Sequence, residues 1–372
     1  MLIPGFATPE GTDRFRRRFA DRLPGHYREA QQLWTASVGL GTYLGDPTKE
    51  VDDRYRDAVI GAVQMGTNVL DTAVNYRHMR SERAIAQGLS TLISSGAAKR
   101  DEIILATKGG FLAFDGELSQ DPPDYFREKL VQTGLVRPGE VVAGCHVMSP
   151  EYLTNQIDTS RANLGVETID IYYLHNPELQ LKEVSRDDFL RRLKAAFSAL
   201  EQAVVDGKIR MYGTATWNGY RVPADSQESI ALQSVLDVAA EVGGNDHHFR
   251  AVQLPFNIAM PEALTANTQP MDGKQVPFLH LARERGLMVF ASASLLQSRL
   301  SQGLPDDLRQ WFPGLETDAQ RALQFVRSTP GITCALVGMS RRVHIEENLA
   351  TASVPPLTLR DYRKIFQQSS PP

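Results

Sequence analysis

Apolar residues in this chain fall into short unbroken runs, separated by longer stretches in which they recur every three or four positions. The runs lie at 37–42, 68–72, 103–108, 169–175, 209–214, 251–256, 287–292 and 332–338. They are mostly continuous rather than alternating, which predicts parallel strands buried on both faces. The stretch 52–65 places Tyr55, Ala58, Val59 and Ala62 on one helical face. A second helix is predicted to begin at Ser149-Pro150-Glu151, with a serine cap and a proline in the first turn. A third, 189–205, ends at Asp206-Gly207, where Gly207 suits the left-handed residue that closes a helix. Helices are also expected over 227–242, 277–285, 318–328 and 343–352. Eight strand–helix repeats in one chain favour a closed (β/α)8 barrel, the TIM barrel, over an open sheet.

The remaining segments divide the chain into an N-terminal extension over 1–35, a barrel over 36–355 and a C-terminal tail over 356–372. The extension is expected to cover the barrel bottom or to meet a neighbouring subunit. Residues 109–148 form an insert after the third strand, far longer than the roughly 2–6 residues usual between strand and helix. Barrel enzymes build their sites at the C-terminal strand ends, so this insert is expected to overhang the chemistry. It offers Phe111, Phe114, Tyr125 and Phe126 as cavity walls, or else forms a surface flap with a small core of its own.

Composition narrows the picture by exclusion. With 42% hydrophobic and 23% charged residues over 372 positions, the chain reads as a globular protein. A net charge of −4 gives no general attraction to nucleic acid or anionic membrane. The one basic run, Arg14 to Arg18, reads as a solvated face or a subunit contact. Neither a membrane-spanning apolar stretch nor a secretory leader is evident, and the cytoplasm is the expected location. Two cysteines, Cys145 and Cys334, fit a reducing compartment. No spacing of His, Cys, Asp or Glu reads as a metal site.

Chemistry is concentrated at the ends of three apolar runs. Val69-Leu70 leads to Asp71, with Tyr76 five positions on. The run 103–107 ends at Lys108, and 169–174 ends at His175. Delivering hydride to a carbonyl requires a proton donor at the oxygen. A phenol titrates near 10, so it is a reluctant acid unless a neighbouring cation favours the phenolate. Lys108 would supply that cation, Asp71 would hold it charged, and a neutral His175 would orient the carbonyl oxygen. The same lysine could instead serve as a Schiff-base nucleophile. That requires a neutral amine, which a carboxylate partner opposes.

The text around these residues resembles the aldo-keto reductase family. It matches at Asp71-Thr72-Ala73 with Tyr76, at Thr107-Lys108, at Tyr173-Leu174-His175-Asn176-Pro177 and at Ser81-Glu82, within a likeness running from about Val38 to Ala352. The resemblance implies a tetrad of Asp71, Tyr76, Lys108 and His175, a small-molecule aldehyde or ketone substrate, and a nicotinamide cofactor. It places Gly41, Thr42 and Tyr43 at the nicotinamide half, with Asp71, Gln253, Ser292 and Leu295. The chain departs from the family at several positions, among them Gly338 and His344, where a lysine and an arginine are often found. The usual Ser-Asn pair is Ala215-Thr216, leaving Thr216 as the polar member. Ser292 stands where a stacking tyrosine is usual, so Trp217 substitutes or the ring is held less firmly.

At the adenosine end, Gly338, Ser340, Arg341, His344, Glu347 and Asn348 are implied. A helix N-terminus there suits phosphate, and Arg341 or Arg342 beside a 2′-phosphate favours NADPH, with NADH possible. The leading expectation is an NADP(H)-dependent carbonyl reductase. The alternative is a nicotinamide-binding sensor or auxiliary subunit on the same fold with little turnover.

Overall fold

The computed structural model describes residues 2–367, so the last residues of the C-terminal tail lie outside the described part. Eight parallel strands close into a barrel: β1 (Val38–Gly41), β2 (Val69–Asp71), β3 (Ile104–Gly109), β4 (Ile169–His175), β5 (Ile209–Ala215), β6 (Phe249–Pro255), β7 (Met288–Ser292) and β8 (Cys334–Gly338). They pair in chain order, with β8 hydrogen-bonded to β1 to complete the ring. The intervening main helices are α1 (Lys49–Gln64), α2 (Arg80–Ser94), α3 (Pro150–Leu164), α4 (Arg186–Val205), α5 (Leu232–Gly243), α6 (Phe278–Glu284), α7 (Asp318–Ser328) and α8 (Arg342–Ala350). The barrel predicted from periodicity is therefore the architecture found.

Two packed layers explain the run pattern. One face of each strand meets the helices, as Leu70, Leu105, Tyr172, Val252 and Val289 do. The other face fills the barrel interior with Val69, Ile104, Ala106, Ile171, Tyr173, Ala251, Met288 and Phe290. Close packing reaches the backbone at Gly213, where the β5–β6 register shifts. A Cβ there would lie 1.7 Å from the Ala251 carbonyl oxygen, a position only glycine can occupy.

The N-terminal segment plugs the end of the barrel where the strands begin. Strands Tyr27–Ala30 and Leu33–Ala36 form an antiparallel hairpin, and Leu33, Ala36 and Ala7 join the barrel-interior cluster. The Ala7 N–H donates to Asp170 Oδ1 at 2.6 Å. That carboxylate's other oxygen accepts from Leu105 N and pairs with Arg100, both at 2.8 Å. The basic run is taken up by intrachain contacts. Arg14 and Arg18 both pair with Glu102, Arg16 with Asp13, and the Arg16 guanidinium lies 4.1 Å from the Trp34 ring centre.

Several sequence expectations need adjustment. Helix α5 begins at Leu232, not near 227, because Gln227 is held in the preceding loop by a bond from Nε2 to the Leu181 carbonyl. Ser149 stands at the cap of α3, yet its hydroxyl makes no capping bond. Between β6 and α6 lies an unforeseen hairpin, Asn267–Met271 with Lys274–Pro277, turned at Asp272-Gly273, where both residues have positive φ. The insert carries a short helix, Pro122–Phe126, and its Val136 and Val147 cluster with Tyr152 of α3, packed against Leu112, Leu130 and Leu135.

Candidate active site

A cavity of about 560 Å³ opens at the C-terminal ends of the strands. Lys108, at full burial on β3, sends its ammonium to Asp71 Oδ1 at 2.6 Å and to the Thr72 carbonyl at 2.7 Å. Asp71 ends β2, and its second oxygen accepts from Gln253 Nε2 on β6 at 2.8 Å. Both carboxylate oxygens are thus engaged, which fixes the ammonium in place.

The half-buried Tyr76 ring lies 4.8 Å from the Lys108 ammonium, measured to the ring centre. The chain passes it through three consecutive left-handed residues, Arg77, His78 and Met79, with φ of 49°, 57° and 67°. Such a run is costly for non-glycine residues. It is held by Arg77, buried and tied to the Asp46 carbonyl and the Asp52 carboxylate. Tyr76 meets His175 edge-on with ring centres 5.8 Å apart, and His175 meets Phe111 at 4.9 Å. The backbone after His175 turns at Asn176 with φ of 47°, and the Asn176 N–H donates to the Ala215 carbonyl at 2.6 Å.

Electrostatics follow from this packing. Desolvation works to lower the Lys108 pKa, but the Asp71 carboxylate and the Tyr76 phenol outweigh it and raise the value. Burial raises the Asp71 carboxyl against the pull of Lys108. Burial also raises the Tyr76 phenol, and the Lys108 ammonium offsets only part of that rise. The downward pull expected from Lys108 is therefore present, but desolvation exceeds it. His175 is driven well below the usual imidazole value by burial, then by Lys108 and His146, so it is neutral near pH 7. Its Nδ1 is buried without a partner. His146 Nε2 donates to the His175 carbonyl at 2.7 Å and braces that turn from behind.

The cavity brings together Gly41, Thr42, Tyr43, Asp71, Tyr76, His175, Thr216, Gln253, Ser292, Leu295 and Gly338, all anticipated from sequence. Ser340 and Arg341 line a neighbouring groove between α1 and α8. His344 is exposed on α8, Glu347 is partly buried, and Asn348 is buried, with Nδ2 4.0 Å from Met339 Sδ. Of the insert aromatics, Phe111 lines the cavity. Phe114, Tyr125 and Phe126 pack on one another instead, with Phe114 also meeting His78 at 5.5 Å.

Leu44, Asn75 and Asn176, not singled out as site residues from the sequence, also line the cavity, as do Gln297 and Ser298 of the loop 296–315, to which the sequence reading assigns substrate choice. The last two belong to a loop whose residues Leu296, Gln297 and Ser298 all have positive φ, and no glycine marks that turn in the sequence. The Thr216 hydroxyl is buried at the cavity wall without a hydrogen-bond partner. An unmet polar atom at this place fits a ligand carrying its own hydrogen-bonding group, such as the carboxamide of a nicotinamide.

The aldo/keto reductase family model matches residues 37–238. The chain belongs to that family. It is 27% identical over 207 residues to the NADH-specific methylglyoxal reductase of Escherichia coli, covering 54% of this chain and 53% of that protein. The chain thus spans about half the length of that curated relative. A putative voltage-gated potassium channel subunit beta of Schizosaccharomyces pombe is 21% identical over 92% of both chains. Among solved structures, an aldo/keto reductase from Klebsiella pneumoniae in complex with NADP and acetate superposes with a TM-score of 0.62. It has 20% identity and covers 94% of this chain and 96% of its own. That likeness concerns the barrel fold.

Among the described residues no group of His, Cys, Asp and Glu could hold a metal ion, and no helix is long and apolar enough to cross a membrane.

Proposed function

We propose that this aldo/keto reductase is an NADP(H)-dependent oxidoreductase, with NADH as the alternative cofactor, that reduces an aldehyde or ketone to an alcohol. The observation that carries the reading is the buried Lys108–Asp71 pair beside Tyr76, with neutral His175 meeting the phenol ring edge-on. When bound, the nicotinamide supplies the hydride, and the chain does the rest.

His175, kept neutral, donates a hydrogen bond to the carbonyl oxygen and fixes its position near the phenol. Tyr76 gives its proton to that oxygen as negative charge develops there. Its raised pKa keeps it protonated until that moment, and the Lys108 ammonium stabilises the phenolate left behind. Asp71 keeps Lys108 charged and aimed, and so opposes its use as a Schiff-base nucleophile. Thr216, Gln253, Ser292, Leu295, Gly41, Thr42 and Tyr43 would hold the nicotinamide half. Gly338, Ser340, Arg341, His344, Glu347 and Asn348 would hold the adenosine half. Among the described residues no arginine or lysine lines the cavity, which favours an uncharged carbonyl compound over an anionic one.

The second reading, a nucleotide-binding sensor or auxiliary subunit, draws on the departures at Ala215 and Ser292 and on the likeness to the putative channel subunit. One experiment separates the two. Loss of reduced-nicotinamide absorbance is followed with NADPH and with NADH over a panel of neutral aldehydes and ketones. Turnover abolished by Tyr76→Phe supports the reductase. Nucleotide binding with no turnover supports the sensor, and no binding of either nucleotide overturns both.

A further inference from the structure

The loop after β5 presents a tryptophan to the cavity in an unusual way. Four aromatic side chains of the lining form a connected set by ring contact: Tyr43 with Tyr76, Tyr76 with His175, and His175 with Phe111. Trp217 lines the same cavity, makes no ring contact with them, and is 44% exposed. An indole left this open costs apolar surface in water unless a ligand covers it.

Its backbone, in contrast, is tightly fixed. Glu178 sits three residues after His175 and is 2% exposed. Its Oε1 accepts from the N–H of Trp217 at 2.5 Å, Asn218 at 3.0 Å and Gly219 at 3.5 Å. The Trp217 carbonyl accepts from Arg221 Nε at 3.0 Å, and Arg221 is in turn paired with Glu262. Just before the indole, the Thr216 N–H donates to the Gln253 carbonyl at 2.8 Å. Burying a carboxylate is expensive and is tolerated when several donors meet it. Here the donors are the backbone of one loop and all meet Oε1, so that oxygen holds the loop, while Oε2 is buried without a partner.

The two side chains so held are complementary. Thr216 offers a buried hydroxyl with no partner, and its chain neighbour Trp217 offers a partly exposed indole to the same cavity. A flat ring bearing an amide satisfies both at once. Resting on the reductase reading above, we propose that Trp217 is the residue that packs on the nicotinamide ring, with Glu178 as the positioning residue that holds it there. Ser292, on the wall contributed by β7, has no ring to offer.

The test is equilibrium binding by titration calorimetry with oxidised nucleotides, so that activity is not the readout. NADP+ and NAD+ are each compared with the matching compound that lacks the nicotinamide, 2′-phospho-ADP-ribose and ADP-ribose. Trp217→Ala is expected to weaken the intact nucleotide about tenfold, in line with a ring contact of about 1.4 kcal/mol. The truncated compound should bind as it does to wild type, and Trp217→Phe should keep most of the affinity. Glu178→Ala should reproduce the Trp217→Ala pattern without touching ligand, and Glu178→Gln, which retains an acceptor oxygen, should restore it. Trp217 fluorescence, with Trp34 and Trp311 replaced by Phe, should be quenched by the intact nucleotide more than by the truncated one. Should Glu178→Ala fail to fold, the exposed Trp217 variants still decide the matter. Unchanged affinity in Trp217→Ala, or equal loss for intact and truncated compounds, overturns the proposal and leaves the reductase reading standing. No nucleotide binding by wild type overturns both.

Discussion

Lys108 Nζ lies 2.6 Å from Asp71 Oδ1, both side chains being buried, and among the described residues neither makes another ion pair. The attraction between them is the condition for a charged lysine under Tyr76. Removing one member leaves the other buried and uncompensated, which costs about 3–5 kcal/mol when the surroundings do not adjust. Lys108→Met and Asp71→Asn are therefore each expected to lower the denaturant midpoint and to reduce kcat. The double variant should be more stable than the sum of the two losses predicts, because it leaves no lone charge. Additive losses in the double-mutant cycle would show that the pair is not coupled.

Tyr76 is expected to act at the proton-transfer step and nowhere else. Tyr76→Phe keeps the ring between Tyr43 and His175 and removes only the hydroxyl. A fall in kcat of about 10²- to 10⁴-fold is expected, the usual scale for a lost general acid, with nucleotide affinity little changed. The pH profile of wild-type reduction should stay level through neutrality and decline on the alkaline side. The phenol is raised above its usual value by burial and delivers a proton only while protonated. A decline centred below pH 7 on the alkaline limb would argue against Tyr76 as the donor.

The barrel and its catalytic corner were legible in the sequence because both depend on patterns a chain cannot hide. Parallel strands buried on two faces must be written as continuous apolar runs, and Asp71, Lys108 and His175 each stand where such a run ends. The loops were less legible. Gln297 and Ser298 reach the cavity through consecutive left-handed residues, a conformation their side chains do not announce. Glu178 reads as one more surface glutamate until the structure shows three backbone donors converging on it. For Phe114, Tyr125 and Phe126 the sequence leaves two places open, cavity wall or a small core within the insert, and the structure packs them on one another.

The plug at the base of the barrel yields a prediction about stability. Leu33 is 5% exposed and packs with Ala36 among Val69, Ile104 and Met288. Leu33→Ala removes side-chain volume from an interior that the barrel strands hold rigidly. A loss of about 2–5 kcal/mol is expected, measured by denaturant unfolding, with kcat and KM of the surviving enzyme unchanged. A loss below about 1 kcal/mol would mean that the hairpin rests on the barrel without filling it.

Acid stability should be governed largely by three buried histidines: His175 at the site, held well below the usual imidazole value by burial, together with His26 and His146. His26, in the plug, bonds through Nδ1 with Ser37 Oγ at 3.1 Å and through Nε2 with the Gly66 carbonyl at 3.2 Å. Burial, followed by repulsion from Arg327, lowers its pKa to about 3. His146, behind His175, is lowered to about 4 by burial. Each therefore binds a proton less readily in the folded chain than in the unfolded one, where the value is 6.5. The stability they contribute is fully present above pH 6.5 and is lost progressively as pH falls toward 4 and then 3. Denaturant midpoints should stay level from pH 7.5 to 6.5 and fall steadily from there down to pH 4. His26→Gln, which retains one donor and one acceptor but cannot take a proton in this range, should flatten the slope while starting from a lower midpoint at neutral pH. An identical slope in the variant would locate the acid sensitivity elsewhere, and the same titration on His146→Gln would then test the second site.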